Sequence, residues 1–263
     1  HGLKLKAVDR AIAILDYLAT TRSACGVTDV GRALGLSKSN VHRTLATLEV
    51  AHWVTQDPDT GKYRIGNRVL ELGLSVLSNL DVRSASLPYL NHLRDATTET
   101  ACLSLRIGLE IMFIDQIQGG HEVRLVADLG KRLPMWAGAA GKAMLAYLPE
   151  SEIAAVLDNL RGSGTQVLAS GKVVDVERLG EELAETRGRG FAVTSGERLL
   201  GAAGVAAPIS GHDHRVLGAI SVGGILPRFS PERATACGPL VAQAARAISS
   251  QLGDSSRSAR GER

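Results

Sequence analysis

Lys38, Ser39, His42 and Arg43 crowd one short stretch of the chain, at spacings that on a helix bring two long cations, a hydroxyl and an imidazole to one side. Groups of this kind donate hydrogen bonds to phosphate oxygens and to the acceptor edges of bases, which is recognition chemistry.

The elements that must position them can be read from the surrounding run VTDVGRALGLSKSNVHRTLATLEV, Val27 to Val50. Val30 and Leu34 lie four apart, and Val41, Leu45 and Leu48 fall at i, i+4 and i+7, so two helices can turn apolar stripes to one core. Gly31 permits a close crossing, Gly35 suits the left-handed residue that ends the first helix, Leu36 plugs the corner, and Ser37 is expected to cap the second helix. Downstream, Trp53-Val54-Thr55 and Tyr63-Arg64-Ile65 alternate like strands around Asp57-Pro58-Asp59-Thr60-Gly61, which predicts a β-hairpin wing. Upstream, Val8, Ala11, Ile12, Leu15, Leu18 and Ala19 repeat at helical spacing and are expected to close the core. The whole reads as a winged helix-turn-helix whose partner is double-stranded operator DNA. Thr28, Ser37, Asn40, Lys62 and Arg64 join Lys38, Ser39, His42 and Arg43 as its expected DNA-binding residues. An ordinary helical hairpin with a solvated charged face is the competing reading, and the joint agreement of glycine, apolar and cap positions argues against it.

From Leu3 to Ile65 there are nine basic and six acidic side chains, so this stretch holds the whole formal net charge of +3 and the remainder is neutral. So small an excess binds DNA weakly in a monomer, and a dimer reading two half-sites repairs that. At 263 residues and 44% hydrophobic content the chain has room for two domains with buried cores. No run approaches the roughly 18 apolar residues of a membrane span and no charged-then-apolar leader opens the sequence, so a cytoplasmic protein without a membrane partner is expected. Cys25, Cys102 and Cys237 are odd in number, far apart and without Cys-x-x-Cys spacing, which predicts reduced thiols and no metal site.

The domain boundaries follow as residues 1–66 for the winged helix, 67–81 for a linker helix, 82–252 for a second domain and 253–263 for a polar tail read as disordered. In the linker, Val69, Leu72, Val76 and Leu80 form one stripe and Leu70, Leu74 and Leu77 another. A helix apolar on two sides needs two partners, here its own domain and a second subunit, although burial within one chain answers the same pattern. The second domain is expected to open with a helix from Arg83 to Thr97, followed by strands Ala101 to Ile107, Ile111 to Gln116 and Glu122 to Ala127. Helices are expected over Ala139 to Tyr147, Pro149 to Leu160 and Val176 to Arg189, then strands Phe191 to Thr194, Gly204 to Ile209 and Val216 to Val222. A last helix, capped by Ser230 with Pro231 in its first turn, is expected to bury Cys237, Leu240, Val241, Ala244, Ile248 and Leu252. Strands and helices mixed in this way make an α+β domain.

The segments VDRAIAIL, LGLSKSNVHRTLATLE, DPDTGKYRIGNRVLELG, LPMWAGAAGKAMLAYLP and GAAGVAAPI, taken together, resemble the isocitrate lyase regulator (IclR) family over nearly everything from Ala7 to Leu252. The resemblance implies a ligand-responsive bacterial transcriptional regulator, a repressor more often than an activator. It further implies a winged helix-turn-helix, a linker helix and a GAF-like effector-binding domain, working as a homodimer or a tetramer built from dimers, with no cofactor. Its effector would be a small organic acid, from carbon catabolism or aromatic degradation. Carried over residue by residue, the effector-binding residues are Leu125, Leu133, Trp136, Ala139, Ala140, Thr194, Ala202, Gly204, Ser221 and Gly223. A helix start at Ala139 and Ala140 suits a carboxylate, and the Thr194 and Ser221 hydroxyls can donate to it. Where relatives place an acid this chain has Val193-Thr194-Ser195-Gly196-Glu197, and Gly204 and Gly223 stand where Cys and Ser are common. The smaller side chains predict room for an acid larger than pyruvate, an aromatic one included. Trp136 offers either a stacking face or a core residue.

Gly138 to Lys142 fails as a phosphate loop, since Trp136 and Ala143 occupy the glycine and Ser/Thr positions of that motif. His212-Asp213-His214 reads as a turn rather than a metal site. The competing function is an enzyme tethered to DNA by the same winged helix, which needs an acid, base or nucleophile converging in the pocket, and Thr194, Ser221 and Gly204 do not make such a set.

Overall fold

The computed structural model describes residues 5–21, 23–78, 81–212 and 214–254, with only the backbone for 75–78. The expectations that rest on Arg22, on the side chains of Val76, Leu77 and Leu80, on Asp213 and on the tail beyond residue 254 lie outside the described residues. The chain divides into two compact units, His1–Leu80 and Asp81–Arg263.

In the first unit α1 (Lys6–Thr20), α2 (Val27–Leu34) and α3 (Lys38–Val50) precede β1 (Val54–Gln56) and β2 (Tyr63–Ile65), and α4 (Asn67–Ser78) follows. Val30, Val41, Leu45 and Val54 share one core with Ile14 and Leu18, so the stripes of α2 and α3 do meet. On α1 the buried face differs from the expected one. Ile14 is fully buried, whereas Val8 and Ile12 are about half exposed. At about 100° per residue, Ile14 and Leu18 fall together and Ile12 falls nearly opposite them. Gly35 ends α2 at φ 64°, and a Cβ at Gly31 would stand 2.9 Å from the Leu36 carbonyl oxygen, so the sharp turn needs both glycines. Ser37 precedes α3 in extended conformation, but its hydroxyl lies 3.4 Å from that of Ser39 and does not cap the helix. β1 and β2 pair antiparallel in the register Val54↔Ile65. Cys25 adds a bridge that the sequence pattern did not show, its N–H donating to the Tyr63 carbonyl and its own carbonyl accepting from the Tyr63 N–H.

The second unit runs α5 (Asp81–Thr97), β3 (Thr100–Ile107), β4 (Glu110–Ile117), β5 (Arg132–Pro134), α6 (Ala139–Leu145), α7 (Glu150–Gly162), α8 (Val176–Arg189), β6 (Ala192–Ser195), β7 (Ala202–Ser210), β8 (Val216–Ile225) and α9 (Pro231–Gln251). Its strands form one antiparallel sheet in the order β5-β4-β3-β8-β7-β6. Gly204 and Ala206 of β7 face α6, and by strand alternation their neighbours turn to α9, so helices cover both faces. Strands and helices around this sheet make the unit α+β.

The strand expected from Glu122 to Ala127 does not form, and β5 takes the sheet edge instead. Side chains satisfy that segment's backbone in place of a ladder. The Gln116 amide donates to the Ala127 carbonyl at 3.1 Å and accepts from the Ala127 N–H at 2.9 Å. The Thr100 hydroxyl donates to the Leu125 carbonyl at 2.6 Å, and Arg228 donates to that of Val123 at 2.9 Å. On α9, Ser230 caps as expected, its hydroxyl accepting from the Arg233 N–H. Cys237, Leu240 and Leu252 are only half-buried, and the buried face runs through Ala234, Gly238, Val241, Ala245 and Ile248, because Gly238 rests on the Phe191 ring. No helix among the described residues is long and apolar enough to cross a membrane.

Candidate functional site

Burial of Val41 and Leu45 leaves Lys38, Ser39, His42 and Arg43 exposed together on α3. Asn40 is half-buried and its Oδ1 accepts a 3.0 Å hydrogen bond from Arg43 Nη2, which orients the guanidinium along the helix. Thr28 on α2, Ser37 before α3, and Lys62 and Arg64 on the wing are exposed as well. The wing loop is built on Asp57, whose carboxylate accepts from the N–H groups of Thr60 and Asp59 at 2.9 and 3.0 Å. The Thr60 bond is the main reason that the Asp57 pKa lies below the ordinary aspartate value.

The second unit holds an open cavity of about 480 Å³, lined by Leu125, Leu133, Trp136, Ala139, Ala140, Thr194, Ala202, Gly204, Ser221 and Gly223. The sequence thus singled out side chains that the fold brings to one hollow. Strand pairing explains the floor: Gly204 stands between Thr194 and Gly223, and Ser221 stands opposite Cys102. A Cβ at Gly204 would meet Ala139 at an ordinary 3.7 Å, whereas one at Gly223 would lie 3.0 Å from Leu125 Cδ2. Leu125 therefore already fills the space that was expected to open above Gly223. Trp136 both packs on the core and lines the cavity. Thr194 is 9% exposed, and its hydroxyl makes no hydrogen bond among the described residues. The Ser221 hydroxyl has one long bond, 3.4 Å to the Cys102 carbonyl.

At the start of α6 the protein supplies its own carboxylate. The Gly138 N–H donates to Glu197 Oε2 at 2.9 Å, and Lys142 Nζ lies 2.5 Å from Glu197 Oε1 and 2.6 Å from Glu182 Oε2. Lys142 is thereby a strut that ties α6 to α8 and to the loop after β6.

Sequence reasoning missed Phe113 and Arg198. Phe113 follows Ile111 by two on β4, a spacing that puts both on one face. Arg198 lies one residue beyond the departure noted from Val193 to Glu197. Its guanidinium carbon sits 4.7 Å from the centre of the Phe113 ring, and its stem packs on Gly138, where a Cβ would overlap Cγ and Cδ. The side chain reaches solvent, yet crowding around the guanidinium lowers its pKa, with Cys102 and Asp128 acting in the opposite sense.

Two family models match the chain, the IclR helix-turn-helix domain over residues 7–58 and the bacterial transcriptional regulator IclR C-terminal domain over residues 74–250. The chain belongs to the IclR family. It is similar to the transcriptional regulator XynR of Escherichia coli K12, 32% identical over 95% of this chain and 98% of that one. It is also similar to the transcriptional repressor AllR of the same strain, 34% identical over 94% and 90%. An IclR homologue from Microbacterium hydrocarbonoxydans, solved in complex with 4-hydroxybenzoate, shares the fold at a TM-score of 0.81, with 24% identity over 94% of this chain and 98% of that one. This IclR-family chain is a transcriptional regulator rather than an enzyme. Burial pushes the pKa of the Cys102 thiol in its cavity up to about 12, which keeps it protonated and poorly nucleophilic.

Proposed function

We propose that this IclR-family protein is a cytoplasmic repressor that binds operator DNA as a homodimer, or as a tetramer of such dimers, and is switched by an organic acid larger than pyruvate. Lys38, Arg43, Lys62 and Arg64 would meet phosphates and base edges, with Thr28, Ser37, Ser39, Asn40 and His42 beside them. The effector would lie in the cavity, its body against Leu133 and Trp136 and above Ala139, Ala140, Ala202 and Gly204, with Leu125 over Gly223 as one wall and Ser221 beside it. One observation carries the ligand half of this reading: Thr194 lines the cavity at 9% exposure, its hydroxyl has no hydrogen-bond partner among the described residues, and a largely buried polar side chain of that kind calls for a ligand or water.

The test is selection of duplexes from a random pool by the full chain, followed by titration of the selected duplex with and without 4-hydroxybenzoate and related acids. Enrichment of a two-fold symmetric site, and weaker binding when an acid is present, are expected. A pool that shows no enrichment would overturn the DNA half. Gly204→Leu, which pushes a side chain toward Ala139 and into the cavity, should abolish acid binding in calorimetry, and unchanged affinity would place the ligand elsewhere.

A further inference from the structure

We propose that Arg198 sets the charge specificity of the cavity by pairing its guanidinium with the carboxylate of a ligand whose apolar body lies along Phe113 and Trp136. The inference deepens the reading of this cavity as an effector site and rests on it.

Directly beside the helix start at Ala139 and Ala140, where a ligand carboxylate was first expected, the protein already holds a carboxylate of its own. Glu197 occupies the Gly138 N–H at the head of α6, and Lys142 is already shared between Glu197 and Glu182. A second carboxylate beside Glu197 would meet a like charge in a partly buried place. The remaining cations on the cavity wall are Lys131 and Arg198. Lys131 is exposed and lies 3.9 Å from the Asp128 carboxylate. The guanidinium of Arg198 makes neither a hydrogen bond nor an ion pair among the described residues, and Asp128 and Cys102 are the titratable groups that face it.

Its geometry is that of a preset receptor. The stem lies on Gly138, the guanidinium stacks on Phe113, and the loop that carries it is anchored by Glu197. A planar fork stacked on an aromatic ring keeps its N–H edges for a bidentate carboxylate, and stacking reduces the freedom lost on binding. The Thr194 hydroxyl, also without a partner, suits a polar substituent on the same ligand.

Calorimetry on the full chain with benzoate, 4-hydroxybenzoate and phenylacetate, each paired with its neutral amide, separates the possibilities. The wild type should prefer each acid to its amide. Arg198→Gln should weaken the acids about ten- to a hundredfold, as expected for loss of a charge-assisted bond, and leave the amides unchanged. Arg198→Lys, which keeps the charge without the fork, should recover part of the loss. Equal weakening of acids and amides would reduce Arg198 to a structural stack on Phe113 and overturn the proposal, as would undiminished acid binding. Wild-type binding of amides alone would overturn Arg198 as the selector while sparing the cavity, and binding of neither class would overturn both. Should Arg198→Gln fail to fold, a fall in the acid-to-amide ratio of Arg198→Lys is still required.

Discussion

A lysine held at 8% side-chain exposure between two carboxylates, as Lys142 is between Glu182 and Glu197, has given up its hydration for two ion pairs. Lys142→Met removes both pairs and leaves Glu197, itself 11% exposed, holding only the Gly138 N–H. A loss of about 3 kcal/mol is expected on the scale of broken buried pairs, read as a lower urea midpoint for the second unit. On α3 the matching case is Arg43, which is exposed and holds Asn40. Arg43→Ala should weaken binding to the selected duplex by about 1 to 3 kcal/mol if it meets a base edge, without lowering the melting temperature. Unchanged affinity in a gel-shift titration would take it out of the interface.

Wing and linker make their predictions as elements. Since Asp57 has its pKa lowered chiefly by the Thr60 N–H, its contribution to the wing is fully present above the ordinary aspartate value of 3.8 and is lost as pH falls through the depressed one. The Asp59 and Thr60 amide signals should therefore titrate with a midpoint below 3.8, and Asp57→Asn should keep the turn while abolishing the titration. On α4, Leu70 and Leu74 are 62% and 55% exposed. A double change to Glu should yield monomers in light scattering if this stripe is the dimer seam, and an unaltered oligomer would move the seam elsewhere. Elements of this kind were legible where periodicity was strong, as in α3 and α8, and where glycine and cap residues marked the ends. The segment from Glu122 to Ala127 was not, because its alternation resembles a strand while its backbone partners are the side chains of Gln116, Thr100 and Arg228, remote in sequence. The cavity was legible through the family resemblance, which carried its lining over residue by residue, and the small Gly204 and Gly223 spoke only to its size. Arg198 was not, because the route of a long side chain from a loop depends on Gly138, 60 residues away in sequence.

For the whole molecule, the proposed switching makes DNA affinity and ligand affinity linked quantities, and a coupling of about 1 to 3 kcal/mol is then expected. The salt dependence of duplex binding reports how many phosphates the assembly neutralises, and Lys62→Ala should flatten the slope by about 0.9 per copy, hence about twice that in a dimer. An unaltered slope would show that the wing lysine meets no phosphate. The side-chain tethering of the 118–130 segment bears on time as well as strength. Because Leu125 and Ala127 hang on Thr100 and Gln116, and Val123 on Arg228, instead of on a strand ladder, opening that wall would break side-chain hydrogen bonds and leave the sheet zipped. An effector lodged against that wall would leave sooner the more readily the wall opened. Under the proposed function, the delay between disappearance of the compound outside and recovery of operator occupancy would then be set by the polar side chains of Thr100, Gln116 and Arg228, and the regulator would keep a short memory of what it last bound.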